Sequence, residues 1–325
     1  MKHRPGRILF IAVTTALAAV LLYYSVRGIE WRRVAAILRG ARAPLVTLYC
    51  CTTSAALFLR AFRWRILLRS QGDVSVSMAF WATSAGYFGN NFLPARAGEV
   101  VRTMMISART KLGRAFVLTT ALSERMADGI ALVTISAFVL LTLPNRPGWF
   151  ARTAKPFAIA GLGAVIAIAI LPLLEPLMLK MAAKLPLGGT LLAKLAYLIE
   201  QVAHGIRSFH HPRRIAGFLG LTGVIWVIDS AGAVIVAHAL GLSLGLAVAF
   251  LLIAGLGMGS ALPSTPGYVG IYQFVAVSVL TPFGLGRTDA IAYIVLWQAL
   301  GYVVVTFWGS LAFWKGRGSR SMEAV

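Results

Sequence analysis

Three groups of residues in this chain have types and spacings suited to chemistry. The first runs Asn90-Asn91-Phe92-Leu93-Pro94-Ala95-Arg96-Ala97-Gly98-Glu99-Val100-Val101-Arg102 between apolar segments. Arg96, Glu99 and Arg102 recur every three residues, which on a helix makes one strip. Such a strip either pairs internally or offers a planar guanidinium to a phosphate. Pro94 has no N–H to lose and suits the start of that helix. Asn90 and Asn91 add two amides that need partners in apolar surroundings. A salt-bridged turn beside the membrane is the plainer alternative, and both readings stay open at this point.

The second group is Glu124-Arg125-Met126-Ala127-Asp128. Glu124 and Asp128 share a helix face, and Arg125 reaches Asp128 one turn on. Three charges in five residues do not face lipid. They could bind a cationic headgroup, relay a proton, or pair with Arg96 or Arg102. Asp229 stands alone in another apolar run, a candidate with Asp128 for proton coupling, or else the buried partner of an Arg elsewhere. The third group is Pro263-Ser264-Thr265-Pro266-Gly267-Tyr268-Val269-Gly270-Ile271-Tyr272-Gln273. Two prolines break the helix and free backbone groups. Gly267 and Gly270 allow close backbone approach. Ser264, Thr265, Tyr272 and Gln273 supply hydroxyls and an amide. The helix that restarts after the break would aim its partly positive N-terminus at a cavity. Gly255, Gly257 and Gly259, just before it, suit tight helix packing.

The elements that must position these groups are membrane helices. Of 325 residues, 58% are hydrophobic and 13% are charged, against about 25% charged in a soluble domain. Apolar segments fall at 8–26, 44–69, 76–93, 115–143, 156–174, 215–240, 246–262, 267–282 and 289–314. Several are as long as a bilayer is thick. We expect an all-α polytopic membrane protein, a single transmembrane domain over 1–325, with about six full spans. Basic clusters set the threading. With the N-terminus inside, both 60–69 and 96–114 prefer the inside. Both are satisfied only if 76–93 enters and returns as a re-entrant element. The pair 246–262 and 267–282 then forms a second, opposed re-entrant element, and the C-terminus ends in the cytoplasm. Residues 27–43 and 191–209 read as amphipathic helices lying on the two surfaces.

Several function classes fall away. A net charge of +21 would point to nucleic acid in a soluble protein, but these Lys and Arg flank apolar runs, where they face anionic lipid. No nucleic-acid partner is expected. Cys50 and Cys51 are adjacent within one apolar run and suit neither a disulfide framework nor a metal site. The His210-His211 pair lacks Cys or acidic companions. No metal and no cofactor are expected, and no nucleotide loop or nucleophile elbow is present. Residues 1–26 resemble a signal peptide, but the apolar part is long and no small-x-small site follows it, so it reads as the first span.

Taken together, Arg60-Ala61-Phe62-Arg63-Trp64-Arg65, the stretch Asn91 to Glu99 with Arg102, Glu124-Arg125 with Asp128, and Pro263 to Gln273 resemble the flippase-like family related to the transmembrane region of lysylphosphatidylglycerol synthases. They occur in that family's order over nearly the whole chain. The resemblance implies a plasma-membrane protein that moves or handles lipids, without a synthase domain. The last stretch departs from the commoner pattern, with Tyr268 where a second Gly often stands and Gln273 where a Glu often stands. The leading expectation is a translocase, rather than an enzyme, that moves an anionic or polyprenyl-linked lipid. Arg96 and Arg102 would hold the lipid phosphate, Glu99, Glu124 and Asp128 would organise those arginines and exchange protons, and Arg125 counts among the substrate-binding residues. Two alternatives stay open: a membrane-embedded transferase acting on lipid-linked substrates, and a non-catalytic partner of a lipid-synthesis enzyme.

Overall fold

A computed structural model describes residues 5–93, 97–142, 174–184, 211–261 and 266–322, with isolated positions between 159 and 200. Every regular element among them is helical. The chain runs α1 (Pro5–Val26), α2 (Trp31–Arg39), α3 (Ala43–Leu68), α4 (Val76–Phe92), α5 (Gly98–Ser107), α6 (Arg114–Thr142), α7 (Glu175–Ala183), α8 (Pro212–Ala239), α9 (Leu246–Ala261), α10 (Ile271–Leu280) and α11 (Arg287–Met322). Among the described residues α3, α8 and α11 are long and apolar enough to cross a membrane. The 29 residues of α6 are as long, but they carry the Glu124–Asp128 charges.

Two helical hairpins stand between the long helices. The 17 residues of α4 and 10 of α5 span about 25 and 15 Å, short of a hydrocarbon core about 30 Å thick. Small residues let the two arms touch. A Cβ on Gly98 would overlap the Gly86 carbonyl, and one on Gly89 would come within 2.8 Å of the Gly98 Cα. Ser75 caps α4 by accepting from the Met78 N–H at 3.1 Å, as expected of a serine at that position. The second hairpin repeats the plan, with 16 residues in α9 and 10 in α10. Gly255 and Gly259 press on Val275 and Ile271 of α10, as their spacing predicts.

The first hairpin corrects one expectation. Residues 76–92 do not enter and return; they form one unbroken helix, and the return arm is α5. Arg102 and Glu99 therefore lie on a packed arm rather than in a basic loop. The helix that follows Pro94 is described from Gly98, with Ala97 at its cap; Pro94, Ala95 and Arg96 lie outside the described residues. The predicted span 156–174 also lies mostly outside them. Of the predicted surface helix 191–209, residues 195–200 are helical and 201–209 are outside the described set. The other, over 27–43, forms α2 with Val34 buried and Arg33 bonded to Asp289 of α11 at 3.0 Å.

The order long helix, hairpin, long helix occurs twice: α3 to α6, then α8 to α11. An offset of 169 residues carries Ala43, the start of α3, onto Pro212, the start of α8. It also carries Leu93-Pro94-x-x-x-Gly98-x-Val100 onto Leu262-Pro263-x-x-x-Gly267-x-Val269. Contacts obey the same relation. In both hairpins a glycine of the first arm lies against the second, Gly86 against Arg102 and Gly255 against Val275. Across the extensive α3–α8 interface, Arg63 stacks on Phe218 at 4.8 Å while Tyr49 packs on Gly232. Shifted by 169, each of those pairs becomes the other. That is the signature of a two-fold relation.

The two halves are inverted. The start of α3 lies beside the end of α8, where the Arg42 N–H donates to the Ala239 carbonyl at 2.9 Å. The far end of α3 meets the start of α8, with Ile66 near Gly217. The hairpins therefore leave from opposite ends of the α3–α8 pair. Their tips meet: α4 packs on the turn Pro266–Tyr268, and Phe92 contacts Tyr302, whose hydroxyl lies against Gly267. The largest buried apolar cluster joins α8, α9, α10 and α11, and a smaller one joins α3 to α4, α5 and α6.

Close hairpin packing makes a direct prediction. Gly98→Ala should destabilise the folded protein by about 1–3 kcal/mol through overpacking. Gly223→Ala on the open face of α8, where a Cβ meets nothing within 4 Å, should stabilise it by about 0.5–1 kcal/mol. Thermal unfolding of the purified variants in detergent measures both.

Candidate functional site

Helices α3, α5 and α6 converge on a dry ionic cluster. Arg63 of α3, with its side chain 0% exposed, donates through Nη1 to Asp128 Oδ1 at 2.6 Å and to Thr222 Oγ1 at 2.9 Å. Its Nη2 donates to Glu124 Oε1 and Asp128 Oδ2, both at 2.9 Å. Arg102 of α5 donates through Nε to Glu99 at 2.5 Å and through Nη1 to the second oxygen of Glu124 at 2.8 Å. Its guanidinium lies 4.5 Å over Trp64. Arg125 donates to Glu99 Oε1 at 2.9 Å and to the Tyr87 hydroxyl at 3.2 Å. Each of these guanidinium groups is shared between carboxylates, and each carboxylate between guanidinium groups. That sharing is what makes burial of charge tolerable.

A fourth pair lies apart. Arg60 of α3 donates to Asp229 of α8. The two positions are counterparts under the 169-residue offset, so the pair sits on the pseudo-two-fold axis. Over the whole assembly Arg60, Arg63, Arg102 and Arg125 face Glu99, Glu124, Asp128 and Asp229, and the formal charge is zero.

Beside this assembly is a cavity of about 560 Å³. Tyr49 and Arg60 of α3, Tyr87, Asn90 and Asn91 of α4, and Arg125 and Asp128 of α6 line one part. Trp226 and Asp229 of α8, Tyr268, Tyr272 of α10, and Trp297, Gln298 and Tyr302 of α11 line the rest. Both halves of the repeat and both hairpins thus contribute. Tyr268 adopts φ +60°, a left-handed conformation uncommon without glycine. Its ring stacks on Tyr272 at 4.9 Å. That backbone explains why a glycine suits this position and what the tyrosine adds in its place, an aromatic wall.

The residues singled out in the sequence divide in two. Asn90, Asn91, Arg125, Asp128, Tyr272, Gln273's partner Gln298 and Asp229 surround the cavity or border it. Glu99, Arg102 and Glu124 are buried behind its wall and hold one another, so Arg102 offers no free donor fork to a ligand. Gln273 is a clamp: it accepts from the Gly270 N–H at 2.8 Å and donates to Gln298 at 2.9 Å. Gln298 in turn donates to the Gly267 carbonyl. The start of α10 is thereby capped, and Gly270, at φ +88°, presses on the Ala18 backbone of α1. Arg96, Ser264 and Thr265 lie outside the described residues.

Sequence reasoning assigned Arg60 and Arg63 to a cytoplasmic flank with Arg65 and Arg69. The structure places both inside α3, facing α6 and α8. Their spacing of three on a face that also carries Trp64 is the signal for burial. Arg65, which donates to the Val74 carbonyl at 2.5 Å, and Arg69, at the end of α3 with Asp73 3.4 Å away, do belong to the flank.

With this geometry in hand, comparison with known proteins places the chain. The sequence model of the lysylphosphatidylglycerol synthase transmembrane region matches residues 10–309. The chain belongs to that family and is a membrane protein. It is similar to the protein named "Glycosyltransferase AglD" of Haloferax volcanii, 26% identical over 302 residues, covering 82% of this chain and 47% of that one. The chain thus spans about half the length of that relative. It is also similar to the "UPF0104 membrane protein" of Methanocaldococcus jannaschii, 23% identical over 229 residues, covering 70% of this chain and 93% of that one.

Removing one member of the dry cluster should be far more damaging than removing an exposed charge. Arg63→Ala leaves Glu124 and Asp128 short of a cation and should destabilise the protein by about 3–5 kcal/mol. Arg69→Ala, whose pair with Asp73 is exposed at 51% and 94%, should change stability by less than about 1 kcal/mol. Detergent-solubilised unfolding curves for the two variants make the comparison.

Proposed function

We propose that this membrane protein is a lipid translocase, moving an anionic or polyprenyl-linked lipid across the plasma membrane. The observation that carries the reading is the cavity between two inverted halves, walled by arginine, acid and aromatic side chains and lined from both hairpins. Inverted repeats with broken helices meeting at a central site are a recurring transporter plan. In this reading the hairpins α4–α5 and α9–α10 are re-entrant from opposite faces of the bilayer. Backbone breaks at membrane depth are tolerated where they line a cavity. Both termini face the cytoplasm, and α2 lies along the outer surface.

The phosphate occupies the cavity beside Arg125 and Arg60, the two cations that line it. Asn90 and Asn91 border it from α4, and Arg96, Ser264 and Thr265, outside the described residues, are proposed as further ligands. Tyr268, Tyr272, Trp297 and Tyr302 form the wall along which the headgroup moves. The dry cluster of Arg63, Arg102, Glu99 and Glu124 holds α5 to α3 and α6 and keeps that wall in place. Asp128 and Asp229 are the acids positioned to exchange protons with the cavity.

A second reading, a membrane-embedded transferase on lipid-linked substrates, draws on the likeness to AglD. The geometry supports it less. A general base needs a carboxylate free to take a proton from the reacting group. Among the described residues each acid bordering the cavity is held by an arginine, Asp128 by Arg63 and Asp229 by Arg60; an entering anion can displace such a carboxylate and leave it to take a proton, whereas a neutral acceptor hydroxyl cannot.

Reconstitution into vesicles tests the proposal. The full chain should move at least one class from a panel of tagged phosphatidylglycerol, phosphatidylethanolamine and polyprenyl-phosphate lipids. Arg125→Gln should slow that movement about ten- to a hundredfold, the loss expected from one charge-assisted contact, while the protein stays folded. Folded, correctly inserted protein that moves none of the panel, or an Arg125→Gln variant at full rate, contradicts it. Product formation from a donor substrate by purified protein would favour the transferase reading instead.

A further inference from the structure

Among the described residues, the Arg60–Asp229 pair differs from the other ion pairs of the interior. Arg63, Arg102 and Arg125 each meet two carboxylates, so loss of one contact leaves the other. Arg60 has Asp229 alone among the described acids. Arg63 and Arg102 are 0% and 1% exposed, whereas Arg60 and Asp229 are each 17% exposed and both line the cavity. Arg60 also lies 6.0 Å from the Tyr87 ring. The pair joins the two inverted halves at their axis. An anion that enters the cavity therefore finds one cation with a single, replaceable partner.

We propose that Arg60 and Asp229 form an exchange site, in which the phosphate of the lipid replaces the Asp229 carboxylate on Arg60 and Asp229 takes up one proton. This rests on the translocase reading and adds its coupling. The charges balance. In the empty state the Arg60 cation faces the Asp229 anion. In the loaded state the Arg60 cation faces the phosphodiester anion, and the displaced carboxylate, with a new O–H bond, is neutral. Without that proton the loaded site would hold an uncompensated buried anion, which is strongly unfavourable. The neighbours do not remove this need. Tyr49 and Arg63 of α3 lie near Asp229, but Arg63 is already bound to Glu124 and Asp128. From α6, Asp128 adds a further anion and Arg125 is held by Glu99. The cavity faces of α4, α10 and α11 add the phenols Tyr87, Tyr272 and Tyr302, and α9 adds no charged group. Loading also releases the ionic tie between the halves, so occupancy and their relative movement are linked.

Calorimetric titration of the full detergent-solubilised chain with dihexanoyl phosphatidylglycerol, in two buffers of different ionisation enthalpy near neutral pH, counts protons taken up per lipid bound. A phosphodiester does not titrate there, so the count reports the protein. The expected result is about one proton per lipid, the linkage of one displaced carboxylate. Asp229→Asn should still bind the lipid with no proton uptake. Arg60→Gln should bind about ten- to a hundredfold more weakly, the loss of one charge-assisted contact. Lipid binding by the unmodified chain without proton uptake, or unchanged uptake in Asp229→Asn, overturns the exchange while leaving the translocase reading intact. Failure of the unmodified chain to bind any lipid of the translocation panel removes both. Glycerophosphoglycerol, the same headgroup without acyl chains, separates the sources. Much weaker binding than the lipid assigns the site to a membrane lipid; equal binding with equal uptake keeps the exchange but contradicts the translocase reading.

Discussion

Paired charges inside an apolar chain constrain everything else in this molecule: Arg63, Arg102, Glu99, Glu124 and Asp128 are buried, and Arg60, Arg125 and Asp229 line the cavity beside them. An unpaired ion at that depth is intolerable, so the helices carrying these groups must be brought together. Arg63 draws α3 onto α6, and Arg102 and Arg125 draw α5 onto α6 through Glu99 and Glu124. The short arm α5, only 10 residues long, gains its anchorage from these bonds rather than from length. The cluster is geometric as much as energetic. Replacing buried pairs by apolar side chains is often neutral in stability, but no apolar set would fix the arm's rotation about α6 as crossed hydrogen bonds do.

The second half meets the same requirement without charge. Where α5 is tied to α6 by acids and arginines, α10 is tied to α11 by Gln273 and Gln298, with the Gly267 carbonyl as the last acceptor. An amide pair satisfies its own donors and acceptors and needs no counter-ion. The halves therefore share a shape but differ in electrostatics: the first is ionic and cross-braced, the second neutral. That asymmetry places the accessible cations on one side of the cavity and much of the aromatic wall on the other. In the translocase we propose, a phosphate and the remainder of a headgroup would meet different surfaces.

Much of the fold was legible in the sequence. Segment lengths marked the short helices, Pro and Gly marked the breaks, and Gly255, Gly257 and Gly259 marked a face of close approach. Pairing across long separations was not legible. Nothing near Arg63 in the chain indicates Glu124 or Asp128, and the basic run from Arg60 to Arg69 reads as a flank because charge counting cannot tell a buried arginine from a surface one. Asp229 looked solitary for the same reason. The return arm was misplaced because Arg102 reads as a loop residue until Glu99 and Glu124 are beside it. The inverted repeat was readable, in Leu-Pro-x-x-x-Gly-x-Val at 93–100 and 262–269, but the match is short and its meaning rests on the antiparallel packing of α3 and α8. Within the cavity, Asn90, Asn91, Arg125 and Asp128 stood out as polar groups in apolar runs. Of the aromatic wall, Tyr268 and Tyr272 stood out beside the Pro-Gly break, but Trp226, Trp297 and Tyr302 did not, because Tyr and Trp in a membrane chain are equally at home at its interfaces.

The central claim is that two inverted hairpins enter from opposite faces and meet. Labelling of single cysteines from each side of oriented vesicles, on a background with Cys50 and Cys51 replaced by alanine, tests it most directly. Asp73→Cys and Lys111→Cys bracket the first hairpin; Ser243→Cys and Pro282→Cys bracket the second. All four positions are exposed. The account predicts that Asp73 and Lys111 label from one face and Ser243 and Pro282 from the other. Labelling of Asp73 and Lys111 from opposite faces would make α4 and α5 part of an ordinary crossing and would contradict it.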